Sequence, residues 1–214
     1  MKHLVITGAS GGLGKAIVEV FAAASWEIVA PTHSELDVTD SAAIQGYFES
    51  RPVDLLICAA GIIRDAPLSR LDESTWDEVF AINYHGAAAC AAAALLQMIE
   101  RQSGHVIFIS SHSAIHPPRG QAAYAAAKAA LLGLTANLAQ RNGRHSVRVN
   151  AILPGFLETA MTQSVSVKRR AEVLNDHVLG RLNTPATVAR FIYHLHDELI
   201  HTSGQVFQLD SRIS

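Results

Sequence analysis

Thr7-Gly8-Ala9-Ser10-Gly11-Gly12-Leu13-Gly14 (residues 7–14) is the stretch that decides how this chain folds. A short β-branched run, residues 3–7 (HLVIT), leads into it, and a helical pattern follows through about residue 24. Glycine permits positive φ and lets backbone N–H groups approach a ligand closely. The helix N-terminus behind the turn carries a partial positive charge, which suits a pyrophosphate. A glycine turn placed between a strand and a helix is the context that a dinucleotide site requires. Gly8, Ser10, Gly12, Leu13 and Gly14 are therefore candidate cofactor contacts. Two other motifs overlap here. G-x-S-x-G around Ser10 matches a hydrolase nucleophile elbow, but only one strand precedes it, whereas that elbow sits on a central strand. A phosphate-binding P-loop would need a glycine at position 9 and Ser or Thr at 16, and both are alanine.

Working outward, β-branched runs alternate with helical patterns. Strands are expected at 3–7, 27–30, 36–38, 54–57, 105–109, 147–152 and 205–209. Helices are expected at 12–24, 41–49, 75–101, 121–141, 166–176 and 185–197. Apolar strands alternating with helices imply a parallel sheet covered on both faces. With right-handed crossovers, the pattern predicts a doubly wound Rossmann fold, here with a seven-stranded parallel sheet. Only residues 31–35 (PTHSE) separate the second and third expected strands, whereas a parallel crossover takes a dozen or more residues. The helix expected there is missing or reduced to a turn.

Length fits one domain over residues 1–214. Seventeen basic against 19 acidic residues leave a net charge of −2, which argues against a nucleic-acid or acidic-membrane partner. The apolar run at the N-terminus is too short for a signal peptide, and the alanine-rich stretch around 87–94 is too short to span a bilayer. Two cysteines, Cys58 and Cys90, do not make a disulfide scaffold, so a reduced, cytoplasmic setting is expected.

Tyr124 and Lys128 lie four apart in a helical stretch and so share a face. A nearby cation favours phenolate and makes tyrosine a useful acid or base. Ser110 and Ser111 end the strand at 105–109, on the carboxyl edge where open α/β sheets bind ligands. Serine, tyrosine and lysine can thus converge beside whatever the glycine turn holds.

These motifs, in this order, resemble the short-chain dehydrogenase/reductase family nearly end to end. The matches are TGASGGLG at 7–14, LDVTD at 36–40, CAAG at 58–61 where the family has NNAG, Asn83 in AINYHG, Ser111, YAAAK at 124–128 and NAILPGFLET at 150–159. Segments 60–83 and the C-terminal GRLNTPATVARFIYHL and SGQVFQLD look most like the 3-oxoacyl-(acyl-carrier-protein) reductase branch. The resemblance implies an NAD(P)-dependent oxidoreductase that interconverts a ketone and a secondary alcohol. Tyr124 would protonate the carbonyl oxygen, and Lys128 would lower the tyrosine pKa and bind the nicotinamide ribose. Ser111, thirteen residues before Tyr124 as is usual in the family, would hold the substrate carbonyl. Asn83 would hold a proton-relaying water. Pro154, Gly155, Leu157 and Thr159 would position the nicotinamide, Asp37 and Val38 would border the adenine, and Ala60 and Gly61 would line the cofactor. The substrate is expected to be a carbonyl or alcohol, a 3-oxoacyl thioester first among them, set by loops 112–120 and 156–180. The rival from another class is a non-catalytic NADP-binding regulator that senses redox state.

An acidic residue ending the second strand would bind a free ribose 2′-OH and repel a 2′-phosphate. Thr32 and His33 stand there, with Glu35 beyond them, so the expectation leans to NADP, with NAD as the alternative. Eleven histidines invite a metal reading, but none of their spacings completes a ligand set, and no metal is expected. His112 and His116 lie between Ser111 and Tyr124, where they could line the substrate pocket or simply decorate a solvated loop. The alanine-rich helix could pack within the monomer or between subunits. A homotetramer or dimer is expected, because family members commonly associate through this helix and the tyrosine helix. Lys168-Arg169-Arg170 could meet an acidic carrier protein, though a solvated helix face explains it as well.

Overall fold

The sheet is built from six parallel strands: β1 (His3–Thr7), β2 (Glu27–Val29), β3 (Leu55–Cys58), β4 (Gly104–Ile109), β5 (Val147–Leu153) and β6 (Val206–Gln208). Their order is β2-β1-β3-β4-β5-β6 in the computed structural model, which describes residues 1–213. The helices are α1 (Gly12–Ala23), α2 (Ser41–Glu49), α3 (Glu73–Phe80), α4 (Gly86–Glu100), α5 (Ala122–Asn142), α6 (Val167–Asn175) and α7 (Pro185–Asp197).

Two cores follow from strand alternation, because successive side chains point to opposite faces. Leu4, Ile6, Leu55, Ile57, Ile107, Ile109 and Ile152 face α1 and α7, where they meet Ile17, Phe21, Val188 and Ile192. Val5, Leu56, Cys58, Val106, Phe108, Val149 and Ala151 face α2, α4 and α5. The strands are apolar on both faces, as a parallel sheet covered twice must be.

The seventh strand, expected at 36–38, does not form. Residues 32–35 make one turn, with Glu35 and Leu36 N–H donating to the Thr32 carbonyl at 3.1 and 3.0 Å. Five residues cannot carry the chain across the sheet to pair outside β2. Leu36 instead drops into the core at the sheet end, and the Asp37 carboxylate accepts from Thr39 N and Oγ1. Asp40 then caps α2, accepting from Ala42 and Ala43 N–H. The crossover helix α2 is thus intact, and β2 is the sheet edge.

Helices α3 and α4 run together through a π-helical turn at residues 81–85. The combined helix, 28 residues from Glu73 to Glu100, is apolar and long enough to cross a bilayer, as is the segment Ala122–His145. The alanine-rich stretch is one part of this longer helix. Both helices nevertheless pack against the sheet, with Cys90, Ala91, Ala94, Met98 and Leu131 fully buried there.

Candidate active site

The carboxyl ends of β1, β3, β4 and β5 open onto one edge of the sheet, and the candidate residues gather there. At the end of β1, Gly8 has φ +73°, and a Cβ on it would stand 2.5 Å from Ala60 N. A Cβ on Gly12 would stand 2.5 Å from Thr159 Cγ2, and one on Gly14 would strike the Gly8 carbonyl. Only glycine fits this turn. α1 begins at Gly12 with no side-chain cap and no acidic residue in its first turn. Its leading N–H groups therefore point out as a donor set for an anion, which is what a pyrophosphate needs.

Beside the turn, Ala60 N–H donates to Thr7 Oγ1 at 3.4 Å. A Cβ on Gly61 would lie 2.6 Å from Asn83 Oδ1 and 3.4 Å from Lys128 Nζ, so those two polar atoms face one narrow space. Asn83 sits in the π-helical turn, a distortion common at functional sites. Its Nδ2 donates to the carbonyls of Ile62 (3.0 Å) and Val79 (2.9 Å), while its Oδ1 is buried with no partner among the described residues. A buried amide oxygen without a partner fits a water or hydroxyl between it and Lys128.

Tyr124 lies about one helical turn before Lys128 on the buried face of α5, in a cluster with Val79, Ala123 and Ala127. Burial pushes its phenol above the ordinary range, and a hydrogen bond with Ser111 pulls it back in part. Lys128 Nζ donates to the Ile109 carbonyl at 2.9 Å and stands 5.8 Å from the Tyr124 ring centroid. Burial lowers its pKa to about 8. The expected lowering of the phenol by the lysine is not the governing effect here, because the ammonium is turned to a carbonyl and is itself desolvated. Ser111 closes the group at the end of β4, its Oγ accepting from Ser113 N–H at 3.1 Å. The neighbouring serines are committed elsewhere. Ser110 Oγ donates to the Lys128 carbonyl at 2.8 Å and Ser113 Oγ to Gln121 at 3.0 Å.

A profile of the short chain dehydrogenase family matches residues 32–170. The chain belongs to the short-chain dehydrogenase family. It is 34% identical to the 3-oxoacyl-[acyl-carrier-protein] reductase of Thermotoga maritima, over 98% of this chain and 96% of that one. To the Escherichia coli K12 reductase of the same name it is 31% identical, over 98% and 96%. Among solved structures, the 3-oxoacyl-[acyl-carrier protein] reductase of Brucella melitensis superposes with a TM-score of 0.90 at 25% identity, covering 97% of this chain and 89% of that one. A Beutenbergia cavernae protein, provisionally assigned as an NAD(P) dependent gluconate 5-dehydrogenase and carrying NADP at low occupancy, superposes at 0.92 with 29% identity, covering 98% and 95%. As a short-chain dehydrogenase the chain is an oxidoreductase acting on CH–OH and C=O groups with a nicotinamide cofactor.

The remaining expected contacts of this dehydrogenase divide. Leu157 is buried and Thr159 packs on the glycine turn. Pro154 offers its carbonyl to Asn183 Nδ2 at 3.3 Å, and Gly155 has φ +83°. Val38 packs against Gly86 rather than standing free at a strand end. At the end of β2, the Glu35 carboxylate accepts from both Thr32 N–H and Oγ1 at 2.8 Å. A carboxylate therefore does reach that strand end, which the linear count to position 35 did not suggest; the turn over 32–35 folds it back. His33 is exposed, 3.9 Å from Asp37 Oδ1. Cys58 is buried in the core, its thiol pushed well up by burial. Among the described residues, no three His, Cys, Asp or Glu side chains converge as a metal set.

Sequence reading missed a buried polar cluster at the end of β6. Asp210, Arg212 and His177 meet there, beside Gly155 and within reach of His112. No local motif announces it, because its members come from two segments more than thirty residues apart.

Proposed function

We propose that residues 1–214 form one cofactor-binding domain that reduces a carbonyl with NADPH. The observation that carries the reading is the joint placement of Ser111, Tyr124, Lys128 and Asn83 at the strand edge beside the glycine turn. The uncapped start of α1 and the Gly8-Gly12-Gly14 turn hold the pyrophosphate, with Ser10 and Leu13 bordering it. Ala60, Gly61, Pro154, Gly155, Leu157 and Thr159 flank the nicotinamide end. Thr32, His33, Asp37 and Val38 flank the adenosine end. When bound, the nicotinamide supplies or accepts the hydride.

The chain's own residues do the rest. Ser111 Oγ hydrogen-bonds the substrate carbonyl oxygen. Tyr124 Oη donates its proton to that oxygen as the alcohol forms. A phenol raised by burial stays protonated in the resting site and is a competent acid once charge develops on the oxygen. Lys128, with a pKa of about 8, returns a proton to Tyr124 through water in the space beside it, and Asn83 Oδ1 holds that water by accepting its hydrogen bond.

A 3-oxoacyl thioester is the first substrate to test, on the strength of the relatives' names. NADP is the preferred cofactor and NAD the second, on the strength of the Beutenbergia cavernae neighbour. A cytoplasmic homo-oligomer, tetramer or dimer, fits the small-residue faces of α4 and α5. The redox-sensing regulator gains no support from relatives that are named as reductases. The decisive experiment follows NADPH oxidation with an acetoacetyl thioester of N-acetylcysteamine. Tyr124→Phe should cut kcat by about 100-fold or more, the usual worth of a general acid, while NADPH fluorescence enhancement on binding persists. Activity retained within a few-fold would remove tyrosine from the acid role.

A further inference from the structure

The carboxyl ends of β4, β5 and β6 lie side by side: Ser110 N–H donates to the Ile152 carbonyl at 2.8 Å and Leu209 N–H to the Leu153 carbonyl at 2.9 Å. Asp210 therefore emerges at the edge that carries Ser111, two strand spacings or about 10 Å away. A Cβ on Gly155 would lie 2.7 Å from Asp210 Cβ, so the aspartate backs directly onto the loop proposed to flank the nicotinamide. The C-terminal segment is tied in place. His177 and Arg212 form an antiparallel bridge, Val178 N–H donates to the Ser211 carbonyl at 3.1 Å, and Asn183 Nδ2 donates to the Leu209 carbonyl at 2.5 Å.

Side chains at this wall are charged and mostly buried. Asp210 is fully buried and Arg212 is 12% exposed. The Asp210 Oδ2 atom accepts from Arg212 Nε at 2.7 Å and Nη2 at 2.5 Å. Among the described residues these are the only bonds of that guanidinium, so both N–H groups of Nη1 and one of Nη2 remain open. His177, 1% exposed, has Nδ1 2.6 Å from the Val173 carbonyl, which accepts only and so fixes the proton on Nδ1. Its Nε2 is buried without a hydrogen-bond partner, 3.9 Å from Asp210 Oδ2. His112, adjoining Ser111, feels the same group: burial and then the Arg212 charge lower its pKa to about 4, leaving it neutral. Its ring lies 4.8 Å from that of His116.

An apolar acyl tail placed here would bury the open guanidinium donors of Arg212 without compensation, which is costly. A carboxylate suits the wall, because a guanidinium held flat by one carboxylate presents its remaining donors in a fork to a second. We propose that Arg212, oriented by Asp210 and flanked by His177 and His112, is an anion subsite that selects a short oxo acid whose free carboxylate lies a few ångströms beyond the reacting carbonyl. This deepens, and rests on, the carbonyl-reductase reading of the same cleft.

The test pairs acetoacetate, which keeps its carboxylate, with the neutral acetoacetyl thioester of N-acetylcysteamine. The wild type should favour acetoacetate by at least tenfold in kcat/KM. Arg212→Met should lower that ratio at least tenfold, through KM for acetoacetate, and Arg212→Lys should restore part of it. A wild type that prefers the thioester, or a ratio that Arg212→Met leaves in place, overturns the subsite. Calorimetric titration of acetoacetate into the protein saturated with NADP reads the subsite apart from turnover, with thermal melting to show that each variant is folded. Carboxylate binding that depends on Arg212, without reduction of either carbonyl, would sink the reductase reading and leave the subsite standing. Reduction of the thioester alone, without acetoacetate binding, would do the reverse.

Discussion

Acid should destabilise this protein through the buried His105 and the half-buried His196 at the opposite end of the strands. Asn150 Oδ1 accepts from Gln205 N–H at 3.0 Å, which turns Asn150 Nδ2 toward the Thr202 carbonyl and His105 Nε2, both at 3.0 Å. An amide NH2 only donates, so His105 Nε2 is the acceptor and its proton sits on Nδ1. That Nδ1 lies 3.3 Å from His196 Nδ1, which must accept in turn. Protonating either ring places two donors face to face. Burial, seconded by the Arg148 charge, lowers His105 well below its ordinary range and His196 to about 4. The sign follows directly. Both rings are neutral when folded, and the unfolded chain binds protons below about pH 6.5, so stability is full above that value and falls toward pH 4. For His196 alone, an ordinary value of 6.5 against about 4 amounts to about 2 kcal/mol lost between pH 7.5 and 5. His196→Phe preserves a ring to pack edge-on to Trp26, at 4.9 Å between centroids, and against His105, at 5.5 Å. It should be less stable at pH 7.5 by about 1–2 kcal/mol, because His105 Nδ1–H loses its acceptor. Urea unfolding at pH 7.5 and 5 should then show the variant losing about 2 kcal/mol less than the wild type on acidification. Equal losses in the two proteins would refute the ladder and its tautomers.

Three further outcomes are expected. Glu35→Gln removes the carboxylate held on Thr32, so NADPH affinity should rise several-fold relative to NADH; an unchanged ratio in fluorescence titrations would mean the 2′ position is read elsewhere. Ser110→Ala should lower stability by about 1 kcal/mol with little change in kcat, whereas Ser111→Ala should cut kcat at least tenfold with little change in melting temperature. Gly61→Ala pushes a methyl to 2.6 Å from Asn83 Oδ1, which two hydrogen bonds hold in place, so steady-state kinetics should show a fall in kcat and thermal melting a lowered midpoint.

Local signals carried most of the architecture. Helix bounds at 41–49 and 185–197 were legible because caps and apolar period coincide there, with Asp40 and Thr184 at the two N-termini. The expected strand at 36–38 failed because LDV has strand-like composition, while pairing depends on a chain long enough to reach the sheet edge. The shared helix face of Tyr124 and Lys128, and the placing of Ser110 and Ser111 at a strand end, were legible from spacing, since four residues on a helix and a strand end are local rulers.

The βα order, the glycine turn and the common helix face of Tyr124 and Lys128 could be read from the chain alone, because each depends on neighbours within a few positions. Only the tertiary structure decided which serine is free, that Glu35 returns to Thr32, and that Asp210, Arg212 and His177 share one buried wall with His112. Those outcomes depend on how adjacent strands and distant loops are brought together, and on what desolvation then does to the charges. Neither quantity is written in the order of residues along the chain.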